Sequence, residues 1–253
     1  MMGTVAMRLK TASWAVAVPL AMLLAAPQVA PQPAGLAGLV PVAAAAEARA
    51  TQRPIVYNPS KRGTAATRVA SHTRAAVDSP LVLALAPYDT GETTLAQPTL
   101  YWYASRPVNA KVELTIVEEK TQKTVLEVAA DGPVEPGIWA FPIGVHRIAL
   151  VPDVEYRWSV SVVRDAKQRS LDLFASGTIL RVSLPGQLAA QLNKVGPSEL
   201  PFFLASAGLW YDALAVLSVQ IANNPADRNL RDMRASLLEQ VGLTEAAAFD
   251  RVI

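Results

Sequence analysis

The sequence predicts a mainly β protein with added α-structure: an antiparallel β-sandwich followed by a C-terminal helical hairpin. Two observations carry this. From Leu81 to Leu184, apolar residues alternate with polar ones in short runs bounded by turn residues, the pattern of half-buried strands. After Pro185-Gly186 the apolar spacing changes to three and four residues, the period of helices that pack on one side.

The chain ahead of the strands sets the compartment. Arg8 and Lys10 precede an uncharged stretch from Thr11 to Ala46, whose first part, ASWAVAVPLAMLLAA, is the apolar segment of a signal peptide behind a basic start. A membrane anchor is the competing reading. It needs roughly 20 unbroken apolar residues, and Pro19, Pro27, Pro31 and Pro33 interrupt this run. Ala43 to Ala46 supply small residues for cleavage, so 1–46 is assigned as a signal peptide. The expected protein is exported, periplasmic or extracellular, with no integral membrane span after processing. There is no cysteine, which excludes disulfides, thiolate nucleophiles and cysteine-ligated zinc.

Residues 47–79 are expected to be a disordered basic arm. They carry Arg49, Arg53, Lys61, Arg62, Arg68 and Arg74, and almost no large apolar side chain that would offset the entropy of ordering. The arm is read as a spacer, with a tether to anionic lipid or nucleic acid as the alternative. Tyr57 stands alone in it, so no aromatic interleaving suggests base stacking, and nucleic acid is not an expected partner. From Ala75 onward 15 basic residues face 20 acidic ones, so a basic arm precedes an acidic body.

The sandwich is placed at 80–184, with seven strands. LVLALAP (81–87) is an apolar run ended by proline, and TLYWYAS (99–105) is short and aromatic, with YDTGETTLAQP between them as a loop. In AKVELTIVEE, Val112, Leu114 and Ile116 alternate with Lys111, Glu113 and Thr115; KTQK turns the chain and TVLEVAA returns. GIWAFPI (137–143) is the fifth strand. VEYRWSVSVV sends Val154, Tyr156, Trp158, Val160 and Val162 to one face. In SLDLFASGTILRVSL the apolar phase flips near Ser176-Gly177, which predicts a β-bulge there. Leu150, Pro152 and Tyr156 resemble the corner of immunoglobulin and fibronectin type III sandwiches, where a tyrosine hydroxyl bonds back to upstream backbone.

The helical region is placed at 185–253. QLAAQLNKV is a short helix. Pro197-Ser198-Glu199 opens a longer one with the stripe Leu200, Phe203, Leu204, Ala207, Tyr211, Leu214, Leu217 and Ile221, stopped by Asn223-Asn224-Pro225. A second helix runs from about Asp227 to Val241, with Gly242 as its stop. Gly208, Trp210, Ala213 and Pro225 resemble a single tetratricopeptide repeat; a solenoid needs at least about three, so the pair is read as a hairpin docked on the sandwich. Phe202, Leu209, Trp210 and Val216 lie off the main stripe. They make the apolar surface wider than one contact covers, and are the candidate protein-binding residues, with burial inside the monomer as the alternative.

No catalytic pattern has intact spacing. His72 falls in the arm and His146 near a loop, too few for a zinc site or a triad. Ser206 in LASAG is similar to a nucleophile elbow, but Leu204 stands where its first glycine belongs. Asp89 and Glu92 flank Gly91; with the Tyr101-Trp102-Tyr103 cluster they form the one alternative, a carbohydrate-active or hydrolytic site. Calcium wants six to eight oxygens, more than this loop supplies. No catalytic residue, metal or cofactor is therefore assigned.

With these motifs laid out, the chain resembles a domain-of-unknown-function family common in cyanobacteria, family nine-two-eight. LAPYDTGETTLAQPTLYWYAS, GIWAFPI, VEYRWSVSVV, SGTILRV and GLWYDALAVL carry the resemblance, from about Leu83 to the C-terminus. Many members have a cysteine after the Tyr-x-Trp strand; Arg164 occupies that place here, so no role for that thiol carries over. The resemblance implies an exported protein and brings no activity, catalytic residue or cofactor. The expected function is that of a non-enzymatic binding or structural module with an envelope or secreted protein partner.

Overall fold

The computed structural model describes residues 53–59, 69–70 and 80–252; the assigned signal peptide lies outside them. Among the described residues there are nine strands: β1 (Val69–Ala70), β2 (Val82–Ala84), β3 (Gly91–Thr93), β4 (Thr99–Ala104), β5 (Lys111–Glu118), β6 (Thr124–Ala130), β7 (Gly137–Pro142), β8 (Glu155–Val163) and β9 (Leu173–Arg181). They form two sheets. The larger has the order β1-β9-β8-β5-β6, with β3 also on β9; the smaller is β2-β4-β7.

All seven expected strands are present, and their alternation is the cause of the layering. Val112, Leu114 and Ile116 of β5 and Tyr156, Trp158, Val160 and Val162 of β8 are buried, as are Leu100 and Phe141 of the smaller sheet. The β5–β6 hairpin turns through Gln122 at φ 58°, and β5 and β8 pair in unbroken antiparallel register from Lys111↔Val163 to Glu118↔Tyr156. At the entrance to β8, Asp153 takes φ 60°, and the Val151 amide donates to the Tyr156 hydroxyl at 3.3 Å, the corner the sequence predicts.

Three departures have physical reasons. The bulge expected at Ser176-Gly177 is absent: β8 and β9 pair continuously through Trp158↔Gly177 and Ser159↔Ser176, and the irregularity sits in the β5–β6 pair between Ile116 and Val117. The apolar phase of β9 changes because both of its faces become buried, odd-numbered Ala175 and Ile179 as well as even-numbered Ser176, Thr178 and Leu180. Gly177 is needed for a different purpose, since a Cβ there would overlap the Ala86 methyl of the facing segment. Secondly, the loop after β2 contains β3, which pairs in parallel with β9 through Gly91↔Ile179, Glu92↔Leu180 and Thr93↔Arg181. Thirdly, the arm assigned as disordered is ordered in part. β1 pairs with β9, and the segment 54–59 packs on the helices, with Ile55 and Tyr57 buried.

The helical region holds α1 (Gly186–Leu192), α2 (Leu200–Ser206), α3 (Trp210–Asn223), α4 (Arg228–Glu239) and α5 (Thr244–Val252). The single long helix expected over 199–222 is broken at Gly208. Its φ of 81° ends α2 in a Schellman motif, with Gly208 N–H on the Ala205 carbonyl and Leu209 N–H on the Leu204 carbonyl. Gly242, φ 69°, repeats this at the end of α4, with Gly242 N–H on the Glu239 carbonyl and Leu243 N–H on the Leu238 carbonyl. A further helix, α5, follows where none was expected. The expected hairpin is thus two hairpins, α2–α3 and α4–α5, offset by 34 residues: Leu204 with Leu238, Gly208 with Gly242, Leu209 with Leu243, Ala213 with Ala247. All of these but the glycines are core side chains.

Tyr156→Phe is expected to lower stability by about 1–3 kcal/mol, because the Val151 amide loses its acceptor at a half-buried corner. Urea unfolding measures this, and an unchanged midpoint would contradict the corner.

Candidate functional site

The first turn of α3 is driven into the sandwich, and three consecutive side chains hold it there. The Trp210 indole N–H donates to the Leu85 carbonyl at 2.9 Å. The Tyr211 hydroxyl donates to the Thr178 carbonyl at 2.8 Å and accepts from the Trp158 indole N–H at 2.8 Å, so one hydroxyl satisfies two buried groups of the larger sheet. Asp212 accepts from the Thr94 amide at 2.9 Å, the Thr94 hydroxyl at 2.6 Å and the Thr93 hydroxyl. Gly91 makes room: a Cβ there would come within 2.6 Å of the Tyr211 ring. Burial pushes the Asp212 carboxyl above the usual aspartate range, against the opposing pull of its bonds from Thr93 and Thr94. Burial likewise raises the Tyr211 hydroxyl.

Behind this junction lies a groove between the C-terminal ends of α2 and α4, and the segment 54–59 occupies it. The Gln240 side chain reads the backbone on both sides of Val56: its Oε1 accepts from the Tyr57 amide at 2.9 Å, and its Nε2 donates to the Ile55 carbonyl at 3.0 Å. The Asn58 backbone amide donates to the Ala205 carbonyl at 3.1 Å, which also accepts from Gly208 N–H, and its side-chain Nδ2 donates to the Ser206 carbonyl at 3.1 Å, both acceptors at the C-terminal end of α2. Ile55 and Tyr57 point inward while Val56 between them is 51% exposed, a period of two. The Tyr57 ring meets the Trp210 ring edge-to-face, centroids 5.0 Å apart at 70°. Burial first, then the charges of Glu92 and Asp89, raise the Tyr57 hydroxyl. The acidic pair singled out in the sequence therefore acts electrostatically on this tyrosine.

The family model described as Domain of Unknown Function (DUF928) matches residues 62–249. The chain belongs to that family. No curated protein matches it. Among solved structures, an engineered protein is 14% identical with a TM-score of 0.29 over 43% of this chain, which spans 21% of the engineered one. A multi-domain immunophilin from Arabidopsis thaliana is 8% identical with a TM-score of 0.21, over 76% of this chain and 98% of the immunophilin. At these scores neither likeness bears on fold or function.

The junction falls within the DUF928 match, and so do Ala205, Ser206, Trp210 and Gln240 of the groove, whereas the segment that fills the groove precedes it. Of the four candidate partner-binding residues, Trp210 and Leu209 have no accessible surface with residues 54–59 in place, which corrects their assignment as exposed anchors. Phe202 and Val216 are half-buried on α2 and α3. Asp89 is exposed while Glu92 is buried in β3. Tyr101, Trp102 and Tyr103 are all buried. Trp102 stacks on Trp139, Tyr103 meets Phe249 of α5, and Tyr101 hydrogen-bonds with Ser218 of α3. They form no sugar-stacking surface, which removes the geometry the carbohydrate alternative needs. Ser206 turns back on its own helix, donating to the Phe203 carbonyl at 2.9 Å, and His146 stacks on Phe141. His72 lies outside the described residues. No group of three or more metal-ligating side chains converges, and no helix is long and apolar enough to cross a membrane, among the described residues.

The sequence reading missed Asp212 and Gln240. Asp212 carried a usable signal: an acid directly after two aromatics at a helix start, on the buried side of the stripe. Gln240 carried none, since a glutamine near a helix end is ordinary.

The raised Asp212 carboxyl makes a pH-dependent prediction. A folded-state value above the unfolded 3.8 means that the folded chain holds a proton the unfolded chain releases, so this contribution is full at low pH and is lost as pH rises from about 3.8 through the folded value. The stability of the wild type relative to Asp212→Asn should therefore fall between pH 4 and the raised value, and be constant beyond it. Urea midpoints of both proteins across that range test this; a difference that grows with pH would contradict it.

Proposed function

We propose that this protein is an exported, non-enzymatic module that acts through contacts with an envelope or secreted protein. The observation that carries the reading is the groove at the ends of α2 and α4: it already holds a peptide segment through main-chain hydrogen bonds and two side-chain positions, which is peptide-recognition chemistry. The two hairpins support it. Their 34-residue offset and repeated Gly-Leu turns are those of tetratricopeptide units, which work by presenting grooves. Two units fall short of a free-standing array, and here α3 and α5, one helix from each hairpin, pack on the sandwich. Export is supported by the basic start at Arg8 and Lys10 and the apolar stretch behind it.

Three measurements test this reading. N-terminal sequencing of the native protein is expected to begin at Glu47 in an envelope or secreted fraction; a cytosolic protein beginning at Met1 would contradict export. Crosslinking of the tagged protein in that fraction is expected to yield one defined protein species. A broad hydrolase screen is expected to return no turnover, and turnover abolished by Glu92→Gln would overturn the non-enzymatic reading.

A further inference from the structure

We infer that the groove between the ends of α2 and α4 is a recognition site for an extended segment of a partner protein, of the pattern aliphatic-x-Tyr-Asn, and that residues 55–58 hold it in cis as a competing ligand. This rests on the protein-contact reading above and gives it an address. Four observations combine. Main-chain groups of 55, 57 and 58 supply three of the four hydrogen bonds that fix the segment, so the groove reads backbone and accepts any chain that can extend there. Specificity comes from alternate positions. Ile55 is enclosed, Tyr57 lies across the edge of Trp210, and the Asn58 amide reaches the Ser206 carbonyl. The charges of Glu92 and Asp89 act on the tyrosine hydroxyl, which favours a neutral phenol and disfavours an anion. Finally, the walls belong to the DUF928 match and the occupant lies before it begins at residue 62.

A self-ligand of this kind sets a threshold. While it is bound, an outside peptide sees only the fraction of molecules with the groove open, and its apparent affinity falls by that fraction. Weakening the self-ligand should therefore strengthen binding in trans, the opposite of what loss of a merely structural contact does.

The test uses the full chain and a fluorescein-labelled peptide, RPIVYNPS, followed by anisotropy. Tyr57→Ala is expected to bind the peptide at least about tenfold more tightly than the wild type, because its own segment competes less well. Gln240→Ala in that background is expected to abolish the gain, and the peptide phosphorylated on its tyrosine is expected not to bind, as a dianion would face Glu92 and Asp89. A folded Tyr57→Ala chain that binds no better than wild type overturns the inference, as does a gain that survives Gln240→Ala. Should Tyr57→Ala fail to fold, Ile55→Ala removes the other enclosed side chain; if neither folds, the segment is obligatory core and the inference falls. A wild-type dimer dissociated by the peptide makes a second copy the occupant and overturns the partner assignment. The wider reading fails separately: a partner crosslinked equally by wild type and Gln240→Ala leaves protein contact standing and removes the groove from it, whereas peptide binding with no crosslinked partner does the reverse.

Discussion

The insertion of Trp210, Tyr211 and Asp212 into the sandwich is the constraint on which the rest of the molecule depends. Successive residues on a helix project about 100° apart, so three neighbours can all be buried only if the helix turn is enclosed on most sides. Here it is: Leu85 lies after β2, Thr178 in β9, Trp158 in β8, and Thr93 and Thr94 at the end of β3. Each bond also satisfies a polar group that the sandwich would otherwise bury alone, at about 1–3 kcal/mol apiece. The sandwich and the helices are therefore one folding unit. Removing α3 would strand the Trp158 indole N–H, the Thr178 and Leu85 carbonyls and the Thr94 amide together. The short parallel strand β3 follows from the same contact, because Gly91 must lie flat against the Tyr211 ring while Thr93 and Thr94 reach Asp212.

The second hairpin repeats the backbone of the first without its task. At the positions of Trp210, Tyr211 and Asp212 it has Thr244, Glu245 and Ala246, none able to form such a wedge. It is held instead from its own end. Asp250, fully buried, takes a two-point bond from Arg234, Nε to Oδ2 at 2.6 Å and Nη2 to Oδ1 at 2.5 Å, and the third guanidinium nitrogen reaches the Ser218 hydroxyl at 2.9 Å. Ser218 in turn hydrogen-bonds with Tyr101 on the smaller sheet. A buried ion pair adds little net stability over an apolar pair of the same shape, yet losing either partner costs several kcal/mol. Its role here is to fix register: it joins α4 and α5 to α3 in one arrangement, which keeps Gln240 at the mouth of the groove.

Much of the fold was legible in the sequence because strand alternation is a local property. β5 and β8 bury every second residue, and the tyrosine corner follows from Leu150, Pro152 and Tyr156. What was not legible depended on contacts distant in sequence. Gly208 sat inside a continuous apolar stripe, and the stripe outweighed the glycine; only the second glycine, 34 residues on, marks both as turns. β9 changed phase because two faces were covered, which a pattern expecting one buried face converts into a bulge. Tyr57 was set aside as a lone aromatic in a basic arm, since its partners Trp210 and Gln240 lie more than 150 residues away. For the candidate site, sequence pointed to Trp210, with burial as the alternative to an exposed anchor, and to the Asp89/Glu92 loop, to which it assigned no catalytic residue. Trp210 is an inner wall and not an exposed anchor, and Glu92 and Asp89 act as charge beside a tyrosine.

Trp210 joins the groove to the junction physically. Its indole N–H is spent inside the sandwich on Leu85, while its ring edge is capped by Tyr57. The tryptophan has no accessible surface, and it meets the sandwich through Leu85 and the 54–59 segment through Tyr57. An occupant of the groove is therefore completing the same packed cluster that holds α3 in place. Exposing that ring costs on the order of 25 cal/mol for each Å² of apolar surface returned to water. A groove with this property favours being filled, and any segment that fills it must bring a large flat side chain at the Tyr57 position and free main-chain groups on either side. That requirement, more than any single hydrogen bond, defines what the surface accepts.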